Sequence, residues 1–380
     1  MKKITYIGVN DRLTDLFEGQ FDIPNGISYN SYLVRDEKIA IMDSVDLLFF
    51  EEWLENIKRE IGDTCPDFLI VSHMEPDHSS SIFSLMAEYP SIKIVATKKA
   101  FNMMKGFFGT DFPNNQIVVD NGDRLSLGEC TLTFYTAPMV HWPEVMVSYL
   151  DTEKTLFSAD AFGKFGALDA DEEWACEARR YYFGIVGKYG TQVQALLKKV
   201  SSLEIERICP LHGPVLEENL DYYLNLYNIW SSYAAEKEGV FIAYTSVYGN
   251  TAEAAALLQD ELQALGVATS LCDLAREDMH EAIEDAFKYS KLVLATTTYN
   301  NGIFPYMREF ITHLTERSYQ SRTVAFIENG SWAPNAARTM KAMLENSKNL
   351  TIIDTGVTIL SSLTEENEKQ ISALARELAK

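Results

Sequence analysis

Residues 68–80 read FLIVSHMEPDHSS, and this stretch decides the fold of the first half of the chain. FLIVS (68–72) is a short apolar run, as expected of a fully buried strand. The octet that follows, HMEPDHSS (73–80), sets His73, Glu75, Asp77 and His78 within six positions, with Pro76 stiffening the turn. Ligand sites of α/β folds form where the chain turns outward at strand C-termini. One histidine alone is usually a satisfied core or surface group, because imidazole hydrogen-bonds readily. Four ligand-type side chains behind one strand point instead to a metal.

Outward from this octet, short strand-like runs alternate with helical ones over the first 238 residues. ISYNSYLV (27–34), IAIMD (39–43), IKIVA (92–96), QIVVD (116–120), TLTFYTA (131–137), EVMVSYL (144–150) and TLFSAD (155–160) read as strands. Several alternate apolar and polar side chains, the period of a half-buried strand. Helical spacing appears at 49–61, 79–88, 191–203 and 216–237, so an α/β sandwich is expected. Three further candidates sit at strand ends: His141 before Trp142-Pro143, Asp160 closing TLFSAD, and His212 in PLHGP (210–214). His280 and His313 fall on expected helices and read as solvated residues.

After Glu236-Lys237-Glu238-Gly239 the pattern becomes five strand-then-helix units, which places a domain boundary near residue 238. The strands are VFIAYT (240–245), VATSLCDL (267–274), KLVLATTT (291–298), RTVAFIE (322–328) and LTIIDTGV (350–357). Helices are expected at about 250–265, 277–289, 306–317, 335–346 and 364–379. In the first helix Ala255, Leu258, Leu262 and Leu265 share a face and Gly266 follows as a stop. Near-continuous apolar strands alternating with helices indicate a parallel, doubly wound sheet of order 2-1-3-4-5. Its first turn, TSVYGNT (245–251), offers Ser246, Asn250 and Thr251 as donors, with Gly249 allowing close backbone approach. A helix N-terminus there favours phosphate, although no Lys or Arg lies in the loop. TTTYNNGIFP (296–305) and ENGSWAP (328–334) each set an aromatic, Tyr299 or Trp332, among small polar residues. That composition suits a flat ring system with polar edges.

Composition removes several function classes. Acidic residues outnumber basic ones 55 to 33, a formal charge of −22 that would repel a phosphate backbone or an anionic membrane surface. No apolar run approaches the roughly 18 residues of a membrane span. ITYIGV (4–9) is too short for a secretory core. The five cysteines, at 65, 130, 176, 209 and 272, form no C-x-x-C, which excludes a cysteine-ligated metal site. Reduced thiols in a cytoplasm fit best.

With these residues in view, the chain resembles the flavodiiron proteins (A-type flavoproteins) over essentially its whole length. The motif H-x-E-x-D-H at 73–78, then His141, Asp160 and His212 in that order, carries the resemblance. YNSYL (29–33), SADAFG (158–163), EARRYYFGIVG (177–187) and PLHGP add to it. The resemblance implies a metallo-β-lactamase-like αββα domain (1–238) and a flavodoxin-like domain (239–380). It implies one iron on His73, Glu75 and His141, a second on Asp77, His78 and His212, and Asp160 bridging them. Hydrolases of the same fold generally carry His where Glu75 stands. The added carboxylate lowers the cost of reaching Fe(III), whereas a nitrogen-rich pocket suits zinc.

The same resemblance implies FMN. Ser246, Val247, Tyr248, Gly249, Asn250 and Thr251 would hold its phosphate. Tyr299, Asn300, Asn301 and Gly302, with Asn329, Gly330, Ser331 and Trp332, would flank its ring. The expected activity is reduction of dioxygen to water or nitric oxide to nitrous oxide, in a head-to-tail homodimer or dimer of dimers fed by a rubredoxin-like donor or, as in methanogen relatives, a reduced deazaflavin. The alternatives are a metal hydrolase with a flavodoxin-like accessory domain and an FMN-only electron carrier. Three departures stand out: a 51-residue gap from Asp160 to His212, Leu211 where a small residue is expected, and Glu18 where many relatives carry a His near the irons.

Overall fold

A computed structural model describes residues 3–380. The chain forms two compact units, Met1–Tyr182 with Tyr189–Asn228, and Phe183–Lys188 with Ile229–Lys380. The division thus falls between Asn228 and Ile229, at the end of the helix Leu220–Ser231, and a short upstream segment packs with the second unit.

The first unit is built on two sheets. One has six strands in the spatial order Ile4–Tyr6, Tyr32–Arg35, Ile39–Met42, Phe68–Ile70, Lys93–Ala96 and Gln116–Val118. The other has five, Arg124–Ser126, Thr131–Thr136, Met146–Leu150, Thr155–Phe157 and Arg207–Cys209. Tyr32, Val34, Met42, Ile70 and Val95 from the first pack with Leu132, Phe134, Met146, Leu150 and Phe157 from the second in one buried cluster. Sheet-on-sheet packing of this kind hides one face of each sheet. The amphipathic helix Phe50–Ile61 buries Trp53, Leu54, Ile57 and Ile61, spaced to lie on one face.

In the second unit the strands run parallel in the order Thr269–Asp273, Lys237–Tyr244, Tyr289–Tyr299, Thr323–Asn329 and Thr351–Ile352, the expected 2-1-3-4-5. Val240, Ile242, Val293, Ala295, Ala325 and Ile327 form a core with the helices Asn250–Ala264 and Glu365–Leu378. Two readings need correction here. The fifth strand is interrupted, with Val357–Ile359 pairing separately against Ile327–Asn329. Leu265 does not join the buried face of Ala255, Leu258 and Leu262: it caps the helix and stands 48% exposed, because the helix ends one residue before it. The strands therefore end together at the loops 245–250, 297–302 and 329–335, which positions a single cleft.

Among the described residues no helix is long and apolar enough to cross a membrane.

Candidate metal centre and cofactor cleft

The octet at 73–80 is held by its own Ser79 and by the neighbouring Asp43 and Ser44. Asp43 Oδ1 accepts from the Ser72 backbone N–H at 2.6 Å, and Ser79 Oγ donates to the Met74 carbonyl at 2.8 Å. Ser44 Oγ donates to the His78 carbonyl at 2.6 Å. Pro76 opens a single helical turn, Pro76–Ser79, a position that suits its fixed φ. That turn puts Asp77 and His78 on one side of the loop while His73 and Glu75 precede it. His141 comes from the turn between strands Thr131–Thr136 and Met146–Leu150. Asp160 and His212 follow the adjacent parallel strands Thr155–Phe157 and Arg207–Cys209. The Leu211 N–H donates to the Ala159 carbonyl at 2.9 Å and ties those two loops together. Leu211 itself is buried. Gly213 is at φ 79° with the Lys164 stem 2.7 Å from where a Cβ would lie, so only glycine fits beside His212.

All seven candidate donors converge, in two groups. Glu75 Oε2 lies 3.3 Å from His73 Nε2 and 3.1 Å from His141 Nε2. Asp160 Oδ2 lies 3.2 and 3.0 Å from the same two nitrogens. Asp77 Oδ2 lies 3.1 Å from His78 Nε2 and 3.3 Å from His212 Nε2, and those two nitrogens face each other at 3.0 Å. Asp160 Oδ1, 3.3 Å from His78 Nε2, faces this second group. One carboxylate therefore addresses both groups with different oxygens.

The chemistry of this donor set fits two cations. Both oxygens of Asp77 and Oδ1 of Asp160 are buried without a hydrogen-bond partner, an arrangement that is costly unless a positive charge completes it. The titration behaviour agrees. Burial opposes charge on His73, yet Asp160, Glu144 and Glu75 hold it well above the usual histidine range. Burial likewise opposes charge on His141, but Asp160 and Glu75 push it up to about 9. Asp160 is held well below the carboxylate range, because His73, His141 and His78 outweigh its burial. The same charges that raise these imidazoles would favour a bound cation.

Aromatic rings wall the second group. Phe17, Tyr29 and Tyr181 place their centroids 5.5, 6.0 and 5.4 Å from that of His212. Trp142 stands edge-on to His73 at 5.2 Å. Glu18, at the tip of a hairpin formed by Leu16–Phe17 and Phe21–Asp22, lies close to Glu75; desolvation and the charge of Glu75 raise its carboxyl to about 7. Two neighbours had no reading in the sequence. Glu144 Oε1 lies 2.8 Å from His73 Nδ1, and the phenol of Tyr181 borders Asp160, Glu75 and Asp77. Their signals were present, an acid opening an apolar strand and a Tyr in EARRYYFG, but neither residue type is diagnostic alone.

The second unit carries a cleft of about 460 Å³ at its strand ends. Ser246, Val247, Tyr248, Asn250 and Thr251 line one side, Tyr299, Asn300 and Asn301 another, and Asn329, Gly330, Ser331 and Trp332 a third. Gly249 and Gly302 do not line it. Gly249, at φ 95°, is the N-cap of helix Asn250–Ala264 and supplies no side-chain cap, which leaves first-turn N–H groups for an anion. Tyr248 and Trp332 are each 91% exposed, large flat surfaces that a ring could cover. Thr297, Thr298, Ala333 and Ser361 also line the cleft, unmarked in the sequence. Ser361 escaped because it follows the displaced strand Val357–Ile359; its backbone N–H donates to Asn329 Oδ1 at 3.2 Å.

A β-lactamase-like sandwich with a seven-donor, two-cation pocket, joined to a parallel sheet with a phosphate-and-ring cleft, defines a class of two-domain metalloflavoproteins. Comparison with known proteins agrees. Residues 27–213 match the ODP family beta lactamases and 241–371 match the flavodoxin domain. The rubredoxin oxygen:oxidoreductase of Desulfovibrio gigas is 26% identical, covering 99% of this chain and 96% of its own, with a TM-score of 0.91. The flavodiiron protein of Giardia intestinalis is 25% identical over 99% of this chain and 94% of its own, also at 0.91. An anaerobic nitric oxide reductase flavorubredoxin of Vibrio vulnificus is 29% identical over 90% of this chain and 72% of its own length. Both halves and the fold as a whole are thus similar to those of the flavodiiron proteins.

Proposed function

We propose that this protein is an oxidoreductase that reduces dioxygen to water, nitric oxide to nitrous oxide, or both, at a non-haem di-iron centre fed by FMN. The observation that carries the reading is Asp160, whose two oxygens face two separate donor groups. His73, Glu75 and His141 with Asp160 Oδ2 would hold one iron; Asp77, His78 and His212 with Asp160 Oδ1 would hold the other. When bound, iron supplies reversible valence change and FMN supplies electrons to it. Glu75, Asp77 and Asp160 contribute three negative charges that favour the oxidised pair. Trp142, Phe17 and Tyr29 keep bulk water from the donors. Tyr181, whose ring lies 5.4 Å from that of His212, retains its phenolic proton, since burial and the charges of Asp160, Glu75 and Asp77 all push it upward.

In the flavin cleft, residues 246–251 would bind the phosphate through backbone and hydroxyl groups. Tyr299, Asn300, Asn301 and Gly302, with Asn329, Gly330, Ser331 and Trp332, would flank the ring. Thr297, Thr298 and Ser361 join them. A head-to-tail homodimer, with the flavin of one copy serving the irons of the other, and a separate rubredoxin-like donor complete the reading. None of the five cysteines is joined in a disulfide, which supports a cytoplasmic setting. None of the named relatives is a hydrolase, and the FMN-only carrier reading leaves the seven converging donors unexplained.

The test is anaerobic reduction of purified protein followed by rapid mixing with each gas, with iron and FMN per chain measured on the same sample. Reoxidation by at least one gas is expected. A fully loaded protein that consumes neither would refute the proposal.

A further inference from the structure

The donors of the metal centre are not backed equally from behind. Nδ1 of His73 lies 2.8 Å from Glu144 Oε1, and a carboxylate oxygen can only accept, so the ring nitrogen donates. The same oxygen accepts from the Met74 N–H at 2.9 Å. Glu144 is 2% exposed, and its carbonyl accepts from Thr97 Oγ1 at 3.1 Å, which pins the residue to the helix Lys98–Phe108. Its other oxygen, Oε2, is buried with no partner, so no further hydrogen bond spreads the charge away from His73. His212 is treated differently: its Nδ1 meets the neutral backbone carbonyl of Ser28 at 2.8 Å. Nδ1 of His78 is buried without a partner. A carbonyl orients an imidazole, whereas a carboxylate orients it and also makes it a stronger electron donor.

We propose that Glu144 is a positioning residue that makes the two halves of the centre unequal. It fixes His73 with Nε2 pointing forward and adds negative charge behind it. The half formed by His73, Glu75 and His141 is therefore the tighter metal site and the one more readily held oxidised. Glu75, Glu144 and one oxygen of Asp160 bear on that half; Asp77 and the other oxygen of Asp160 bear on its neighbour. The inference rests on the ligand assignment proposed above.

The alternative role for Glu144 is purely structural, as a cap for the Met74 N–H. E144Q separates the two, because the amide oxygen can keep both hydrogen bonds while the charge is lost and the amide nitrogen takes the place of the unpartnered Oε2. The full-length, FMN-loaded chain, stripped of metal, is titrated with Co(II) by calorimetry. Wild type is expected to bind in two unequal steps. E144Q should weaken the tighter step ~10–100-fold and leave the weaker one in place. E144D, which keeps the charge with a shorter reach, should recover part of the loss. In iron-loaded samples the lower midpoint potential of the pair, that of the half held more readily oxidised, should rise in E144Q. Two equal steps in wild type, or E144Q binding as wild type does in both steps, would overturn the inference. If wild type binds no Co(II), the ligand assignment fails with it. Should E144Q lose its FMN or its far-ultraviolet dichroism, E144D and the wild-type step pattern decide the matter.

Discussion

Asp160 is the residue on which the centre turns, because each of its oxygens faces a different pair of imidazoles and it is 1% exposed. An amide in its place offers one acceptor and one donor, so it cannot serve two cations at once. D160N is expected to lose more metal affinity than the ~10–100-fold that removing an outer-shell partner costs, with metal per chain falling on dialysis while FMN stays constant; elemental analysis beside flavin absorbance checks it. The sequence announced this centre because ligand-type side chains crowd the ends of apolar strands, a density that chance rarely produces. Glu144 was illegible for the opposite reason. It is a single acid whose meaning lies in His73, 71 positions away, and that proximity exists only after folding. Glu18 stood between these cases: its position was noted, but its reach to Glu75 depends on a hairpin of two-residue strands. Tyr181, buried beside three carboxylates, gives a second residue-scale expectation. Y181F should keep both metals and its FMN yet slow reoxidation by gas, since it removes only the phenolic hydroxyl; equal rates in stopped-flow mixing would count against a role for that hydroxyl.

At the scale of elements, the flavin cleft is made by loops whose backbones must pass closely. A Cβ on Gly330 would come within 2.9 Å of Pro334 Cα and 3.2 Å of Thr298 Oγ1. G330A is therefore expected to displace the 329–335 loop, costing about 1–3 kcal/mol as overpacking does. FMN should dissociate more readily from this variant, read as free-flavin fluorescence on dilution, while metal content is unchanged. Strand order in this unit was legible because the three central strands are largely buried on both faces and read as apolar runs. The break in the fifth strand was not, since Asp354 and Gly356 interrupt a stretch whose pairing to Thr323–Val324 and Ile327–Asn329 is a tertiary matter. The helices Lys98–Phe108 and Trp174–Tyr181 were also missed. The second ends in two adjacent arginines that are buried, so its polar residues mislead a reading based on an apolar stripe.

For the whole molecule, each unit has its own buried cluster and its own candidate cofactor site. A ligand that binds only the folded form stabilises the part it binds. Metal removal should therefore lower one calorimetric transition and flavin removal the other. The metal-free transition should also depend on pH. His141 has its folded pKa raised to about 9 from an ordinary 6.5, through Asp160 and Glu75 acting against burial, and His73 and His78 are raised as well. A raised pKa means the folded state binds the proton more tightly than the unfolded one. That stabilisation is complete below about pH 6.5 and is lost as pH climbs through about 9. On the acid side Glu75 and Asp160, held below their ordinary values, lose their contribution as they protonate. The metal-free first unit should thus melt progressively lower between pH 6.5 and 9, whereas the metal-loaded protein should hold its melting temperature there, because cations have replaced those protons. Scanning calorimetry of both forms across that window checks the argument, and a parallel decline in the two would show that the lost charge lies outside the metal centre.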